Sequence, residues 1–366
     1  MGGAQTHLET MIVCARQSHP EVSHRVVSLF GGGPIADRLT ALGVPVEDLG
    51  LVELVRAHRY PAAIRVLRRL IEADAPDVVE AHLTWSRLLG LFAAWRCGTK
   101  LRIGYEQGDI YMTSPRIRLA NFVLQHCVHR LVVCSAALGR WARRTHGISA
   151  ARLWVLHNPV DTQRFVPAER PTGERFGFAP DTLLMVTIGT LGRGVNKRVD
   201  VCIQALAIAR REAKVGLLIC GDGPQRAELE ALAASLGVTD DVRFLGLRGD
   251  VATVLTQCDV YCHAAPFEPF GIVCVEAMAS GLPTIVPNGG GIPEAVDDGK
   301  TGFIYPVGDA AALAARVVEL SRAPERAKQM GVAARQAAVD RFDAHRYVDN
   351  LYAAYAASLS GARSVA

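Results

Sequence analysis

Short, continuous apolar runs recur along the chain, and each is followed by a longer stretch with apolar positions at helical spacing. In the first part the runs are HRVVSLF at 24–30, PDVVEAH at 76–82, 101–105, LVVCS at 131–135 and LWVLHN at 153–158, with a short strand near 45–48. Helices are expected at 5–17, 35–43, 61–74, 84–97, 115–128 and 136–146. In the second part the runs are LLMVTIG at 183–189, VGLLICG at 215–221, VRFLG at 242–246, VYCHA at 260–264 and PTIVP at 283–287. Helices are expected at 199–212, 224–236 and 271–280, and then near 309–322, 325–340 and 343–358. An unbroken apolar strand is buried on both faces, and strand–helix alternation builds a parallel sheet with helices on either side.

The pattern is interrupted once. From Asn158 to Pro180 the sequence NPVDTQRFVPAERPTGERFGFAP is rich in proline and charge, as a connection between domains is. A chain of 366 residues also exceeds what one core ordinarily supports. The expected division is an N-terminal Rossmann-like lobe at 1–160 and a linker at 161–178. A C-terminal Rossmann-like lobe follows at 179–340, and a last helix at 341–366 packs back toward the first lobe.

Composition narrows the function classes. Half of the residues are apolar and 21% are charged, which excludes a disordered chain. The formal net charge is +4, without a long basic stripe or an RNA-binding signature, so no nucleic-acid partner is expected. The nine cysteines form no CxxC pair. Cys258, Cys262 and His263 are close enough to raise zinc, but their apolar setting reads as a buried strand in a reducing, cytoplasmic compartment. Neither a signal peptide nor a membrane-spanning run is visible, so any membrane contact is expected to be peripheral.

Three segments of the second part carry chemistry. GDGPQR at 221–226 turns from an apolar strand into a helix and presents backbone N–H groups to an anion, although the third glycine of a dinucleotide fingerprint is missing. In EPFGIVCVE, Glu268 and Glu276 are eight positions apart, one in a loop and one on a helix. Both carboxylates can then face one ligand and accept hydrogen bonds from vicinal hydroxyls. GGGIPEAV at 289–296 is a second glycine-rich entry to a helix. Each segment alone is also compatible with an ordinary turn or a solvated surface.

Taken together, in order and at these separations, they are specific. The run from GDGPQRAELEALAASLGVTDDVRFLGLRGD to CDVYCHAAPFEPFGIVCVEAMASGLPTIVPNGGGIPEAVDDGKTGFIYPVGD resembles the family 4 glycosyltransferases. The resemblance implies a retaining enzyme of the GT-B fold, with two Rossmann-like α/β lobes, an interlobe cleft and C-terminal helices. It implies that Glu268 binds hydroxyls of the donor sugar and Glu276 the ribose of the nucleotide. Phe270, Gly271 and Ile272 would lie along the sugar and diphosphate, Gly221 to Gly223 along the nucleotide, and Leu247 and Arg248 near the base. In IGTLGRGVNKRVD at 188–200, Lys197 matches the family's phosphate-binding lysine. The partner arginine is displaced: Thr190 occupies its usual place, and Arg193 is the candidate, with Arg198 as the fallback. These cations would stabilise the departing diphosphate, so neither a metal nor any other cofactor is expected.

The first part departs further from the family. The Gly-Gly-Ala turn that faces donor phosphate in the family sits at Gly2 and Gly3, so either the start lies further upstream or the first lobe lacks its usual opening strand. On the acceptor side, His82 follows a strand, and Gln107 stands where a histidine is common. Glutamine cannot serve as a general acid or base; in retaining enzymes of this kind the leaving phosphate can itself take the acceptor proton, and Glu106 or Asp109 could contribute. Arg56, Arg59, Arg65, Arg68 and Arg69 form either a solvated helix face or a patch for anionic membrane. The expected function is transfer of a sugar from a nucleoside-diphosphate sugar to a glycan or lipid-linked acceptor, in the cytoplasm or at the inner face of its membrane. The alternative is a non-catalytic family member that only binds the sugar nucleotide.

Overall fold

In the computed structural model, residues 3–108, 114–169, 173, 175–192 and 197–360 are described. The chain divides into two compact units, one of Met1–Pro159 with Ala344–Ala366 and one of Val160–Asp343.

The first unit holds β1 (Val26–Ser28), β2 (Val46–Asp48), β3 (Val78–His82), β4 (Leu101–Glu106), β5 (Arg130–Val133) and β6 (Leu153–Val155). All pairings are parallel, in two separate sheets: β1 with β2, and β3-β4-β5-β6. Ile103 and Tyr105 of β4 and Val132 of β5 point into a core that also receives Met11, Leu351 and Tyr355. Those last three come from helices Gly3–Ser18 and Ala344–Leu359, the first and last of the chain. The two helices pack together through Cys14, Ala15, Ala344 and Val348, and His19 Nε2 meets Asp349 at 2.8 Å.

One helix of this unit differs from its expected form. The stretch expected as a helix at 84–97 opens with a π-helical turn, Ser86–Gly90, before α-helix Leu91–Arg96. The wider turn carries Arg87 into the interior, where its guanidinium lies 2.6 Å from the Glu106 carboxylate. The helix Tyr60–Asp74, by contrast, is an ordinary amphipathic one. Ala63 and Leu67 are core, Arg68 pairs with Glu72, and Arg56, just before it, pairs with Glu53. Its apolar side is thus spent on the unit's own core, and Arg65 and Arg69 lie on the exposed outer face.

The second unit holds β7 (Leu183–Ile188), β8 (Val215–Cys220), β9 (Val242–Gly246), β10 (Val260–Cys262), β11 (Thr284–Pro287) and β12 (Gly302–Tyr305). They form one parallel sheet in the order β12-β11-β10-β7-β8-β9. Met185, Leu217, Ile219, Cys262 and Ile285 pack against Cys202, Ile203 and Leu206 of helix Val199–Ala209. Strand β12 and the short helices Val52–Arg56 and Val251–Thr256 are additions to the expected elements. Each is too short for periodicity to distinguish it from loop.

The segment expected as a linker packs into this unit instead. Val160 N donates to Phe342 O at 2.7 Å, and Phe165 and Phe178 are buried. The Arg335 guanidinium donates to the carbonyls of Thr162, Phe165 and Ala279. Proline and charge there mark irregular backbone rather than a free tether. The boundaries fall at Pro159/Val160 and Asp343/Ala344.

Candidate functional site

In the second unit β7 leads outward to β8 and β9, and the chain then returns to place β10 on the other side of β7. In parallel α/β sheets the crevice at such a reversal, beyond the carboxyl ends of the strands, is where ligands bind. The loops that leave β7 and β10 carry Lys197 and Glu268, and these two residues meet there. Lys197 Nζ lies 2.5 Å from Glu268 Oε2, and both side chains are largely buried.

Two backbone arrangements hold the loops in register. After β10, Glu268 bridges Gly290, and Gly291 N donates to Glu268 O at 2.7 Å. Gly290 has φ +70°, and a Cβ there would stand 2.3 Å from Glu268 O. The glycine-rich turn at 289–291 and the Glu268 loop are therefore one structure, and only glycine lets them approach this closely. After β7, Gly189 N donates to Cys220 O and Leu191 N to Asp222 O, while Gly221 N donates to Gly246 O. Gly221 has φ +152°, and a Cβ there would lie 1.9 Å from Gly189 O. The GDG turn is thus locked between its neighbours at the carboxyl edge.

A residue that sequence reasoning set aside joins the pair. His263 Nε2 stands 3.4 Å from Glu268 Oε2, in electrostatic contact but without a formed hydrogen bond. Its Nδ1 is 3.0 Å from the Tyr261 hydroxyl, and the Tyr305 hydroxyl donates to the His263 carbonyl at 2.8 Å. Strand alternation was the available signal: in VYCHA, Val260, Cys262 and Ala264 share one face and Tyr261 and His263 the other. Cys262 belongs to the core cluster, so it and His263 cannot serve one metal ion. Among the described residues no group of three or more His, Cys, Asp and Glu could hold a metal.

The two glutamates have opposite electrostatics. Burial works against ionisation of Glu268, yet the His263 ring and the Lys197 ammonium hold its carboxyl down at about 2. Glu276, on helix Ile272–Ala279, is half-buried, and desolvation pushes it up to about 7 against an opposing pull from Arg164. Both carboxylates act on Tyr261: burial first, and then Cys274, Glu268 and Glu276, raise its phenol well above the usual range.

The remaining candidates are placed as follows. Phe270 is buried, with its ring edge-on to Phe342, so only its backbone is available to a ligand. Gly271, with φ +87°, caps the helix that Ile272 opens, next to Ile292. Gly223 abuts Leu191 O. Leu247 is 78% exposed, and Arg248 is tied to Asp250 at 2.5 Å. Both follow β9, two strands from β7 and three from β10 in the sheet. Arg198 pairs with Asp200 at 3.0 Å, which gives the fallback arginine a structural partner. Arg193, Gly2 and Asp109 lie outside the described residues.

In the first unit, Gly3 is the exposed first residue of its helix. His82 and Gln107 come together at the carboxyl ends of β3 and β4, with His82 Nδ1 3.3 Å from Gln107 Oε1. The His82 ring stacks on Tyr105 at 4.3 Å and lies near His7 at 6.1 Å. Burial, and then His82, lower the His7 pKa well below its usual value. Both His7 ring nitrogens, His82 Nε2 and Gln107 Nε2 are buried without hydrogen-bond partners. His7 was not foreseen, because a lone histidine on a helix carries no signal. The Glu106 carboxylate is held in the interior, where it accepts from Arg87 and from Gly108 N.

Comparison with known proteins agrees with this architecture. The Glycosyltransferase Family 4 profile matches residues 1–164, and the Glycosyl transferases group 1 profile matches residues 174–337. The GDP-mannose-dependent alpha-mannosyltransferase of Mycobacterium tuberculosis is 32% identical over 294 residues, covering 72% of this chain and 73% of that one. The N-acetyl-alpha-D-glucosaminyl L-malate synthase of Bacillus anthracis is 35% identical over 182 residues, or 50% of this chain, and the match spans 47% of that protein's length. Among solved structures, Anabaena HepE in complex with UDP superposes with a TM-score of 0.79 at 21% identity, over 97% of this chain and 96% of that one. The lipopolysaccharide outer core galactosyltransferase WaaB gives 0.75 at 18% identity, over 99% and 96%. These likenesses show the GT-B fold, and with the two profiles and the mannosyltransferase match, the chain belongs to the family 4 glycosyltransferases.

Proposed function

We propose that this protein transfers a hexose unit from a nucleoside-diphosphate sugar to an acceptor hydroxyl, with retention of anomeric configuration. The observation that carries the reading is the Lys197–Glu268 pair at the strand-order reversal of the second unit. A cation there suits the diphosphate, whose negative charge grows as the sugar departs. An ionised carboxylate beside it suits sugar hydroxyls, which donate to it. Glu276 takes the ribose hydroxyls, and the backbone from Phe270 to Ile272 runs along the phosphates at a helix N-terminus. Lys197 does the work a divalent metal does elsewhere, with Arg193 the candidate second cation by sequence, so turnover persists in EDTA. The acceptor, a glycan or lipid-linked glycan of polysaccharide or glycolipid synthesis, is chosen by the first unit, where Gln107 Nε2 has no hydrogen-bond partner and His82 lies beside it. The protein works in the cytoplasm, in peripheral contact with the anionic inner face of the membrane. No helix among the described residues is long and apolar enough to cross a membrane.

The base is left to experiment, since the Mycobacterium tuberculosis relative is named for GDP-mannose and HepE was solved with UDP. The test is a panel of UDP-, GDP- and ADP-sugars, read by thermal shift and slow donor hydrolysis, with Glu268→Ala and Lys197→Ala as controls. One donor should stabilise and be hydrolysed by the wild type only. A folded protein that responds to no donor overturns the proposal.

A further inference from the structure

Between Asp109 and Asp161 the sequence contains neither aspartate nor glutamate. Over the same stretch Arg116, Arg118, Arg130, Arg140, Arg143 and Arg144 are all exposed. Among the described residues none of them pairs with a carboxylate, in contrast to Arg56 and Arg68. The charge is concentrated on two helices of the first unit, Pro115–Leu124 and Ala136–His146. They pack side by side, with Arg118 Nε donating to Thr145 O at 2.8 Å. Arg140, Arg143 and Arg144 recur at helical spacing along the outer face of the second helix, opposite buried Leu138 and Ala142.

The first helix is inverted in pattern. Its outward stripe is apolar: Leu119 is 64% exposed, Phe122 49% and Val123 52%, at positions i, i+3 and i+4. Only Asn121 and Leu124 of this helix are buried. Three adjoining, partly exposed apolar side chains, with arginines on the same helix and its neighbour that meet no carboxylate, make a surface that water serves poorly. Apolar side chains at the centre gain nothing from nucleic-acid phosphates, whereas a bilayer offers both partners, anionic headgroups for the arginines and acyl chains for Leu119, Phe122 and Val123.

We propose that the face formed by helices Pro115–Leu124 and Ala136–His146 is a docking surface for an anionic lipid bilayer. The arginines contact headgroups, and Leu119, Phe122 and Val123 enter the acyl boundary. This rests on the peripheral-membrane part of the proposed function and gives it a location away from the helix Tyr60–Asp74.

The experiment is co-sedimentation of the full chain with vesicles of phosphatidylcholine alone or mixed with phosphatidylglycerol, at low and high salt. The wild type should sediment with the mixed vesicles only and be released by salt. The triple variant Arg140→Gln, Arg143→Gln, Arg144→Gln should partition roughly 100-fold more weakly, each arginine contributing about 1 kcal/mol at an anionic surface. Leu119→Ser with Val123→Ser should weaken sedimentation with the mixed vesicles at low salt. Both substitutions fall on exposed positions, and circular dichroism confirms folding. The pair Arg65→Gln, Arg69→Gln should bind as wild type. Thermal shift with the donor, unchanged in the surface variants, separates failure of this surface from failure of the transferase reading. Absence of sedimentation, equal loss in the Arg65/Arg69 variant, or retention of single-stranded RNA in place of vesicles would each overturn the proposal.

Discussion

Lys197 and Glu268 come from loops 71 residues apart in sequence, yet their charged atoms lie 2.5 Å apart. Neither loop is regular structure, and the pairing follows from the sheet order that sets β10 beside β7. Replacing Lys197 by methionine keeps the stem and removes the charge. Donor turnover should fall roughly a hundredfold to a thousandfold, as when a group that stabilises a transition state is removed. The pair also stabilises the fold. Glu268 is depressed from 4.5 to about 2, so its contribution is complete above pH 4.5 and disappears as pH falls toward 2. In Glu268→Gln that acid-side loss should be smaller, measured by urea unfolding across this range. A Lys197→Met enzyme with wild-type turnover would remove the catalytic role.

Glu276 behaves in the opposite way. Its carboxyl is raised from 4.5 to about 7, so the native state holds a proton that the unfolded chain has released. Stability from this group is complete below 4.5 and declines as pH rises through 7. Glu276→Gln should therefore equal the wild type near pH 4.5 and exceed it by about 2 kcal/mol at pH 8.5, since part of the side chain meets solvent. Donor affinity of the wild type should improve as pH rises through 7, because the ionised carboxylate is the better acceptor for ribose hydroxyls. The variant should lose that pH dependence. Titration calorimetry over the same pH range decides, and a flat wild-type profile would separate Glu276 from the nucleotide.

The sequence made much of this site legible because its elements are short-range. The apolar runs that became β7, β8 and β10 announce buried parallel strands, and Lys197, Glu268 and Glu276 stand at fixed offsets from them. What stayed hidden depends on contacts between distant segments. His263 gains its meaning from Tyr261 behind it and Glu268 ahead of it, and its own neighbours suggested zinc. His7 is on a helix that meets β3 and β4 only in the folded unit. The proline-rich stretch after Asn158 looked like a tether because composition reports irregular backbone, whereas Arg335, far along the chain, is what fastens it. Glu106 looked available until the π-helical turn brought Arg87 to it.

The glycine turns make a backbone prediction that is independent of charge. Gly221 sits where a Cβ would be 1.9 Å from the Gly189 carbonyl oxygen, an atom fixed at the end of β7. Gly221→Ala forces the turns after β7 and β8 apart. It should cost more than about 2 kcal/mol, beyond the ordinary range for a surface change. Donor binding should weaken further than stability alone accounts for, because the Gly189–Leu191 backbone leads toward Lys197. Gly249→Ala, with open space around its Cβ, is the matched control. Equal melting temperatures for the two variants would show that the turn can relax.

Among the described residues Arg87 and Glu106 form the most deeply buried ion pair of the first unit, with side chains 1% and 2% exposed and 2.6 Å between them. Such a pair recovers its desolvation cost only while both members are present. Glu106→Leu alone should destabilise by about 3–5 kcal/mol, because it strands a guanidinium whose Nε and Nη1 already lack partners. Arg87→Met alone should also destabilise, because it removes the cation that faces the buried Glu106 carboxylate. The double variant Arg87→Met, Glu106→Leu replaces two charges by apolar groups of similar length and should recover most of the loss. The cycle also settles whether Glu106 has any part in catalysis. If its carboxylate only holds Arg87 and the loop through Gly108 N, the double variant turns over donor and acceptor at close to the wild-type rate. If the carboxylate takes part in the reaction, turnover stays low while stability returns. Chemical denaturation and steady-state kinetics on the same four proteins separate the two outcomes.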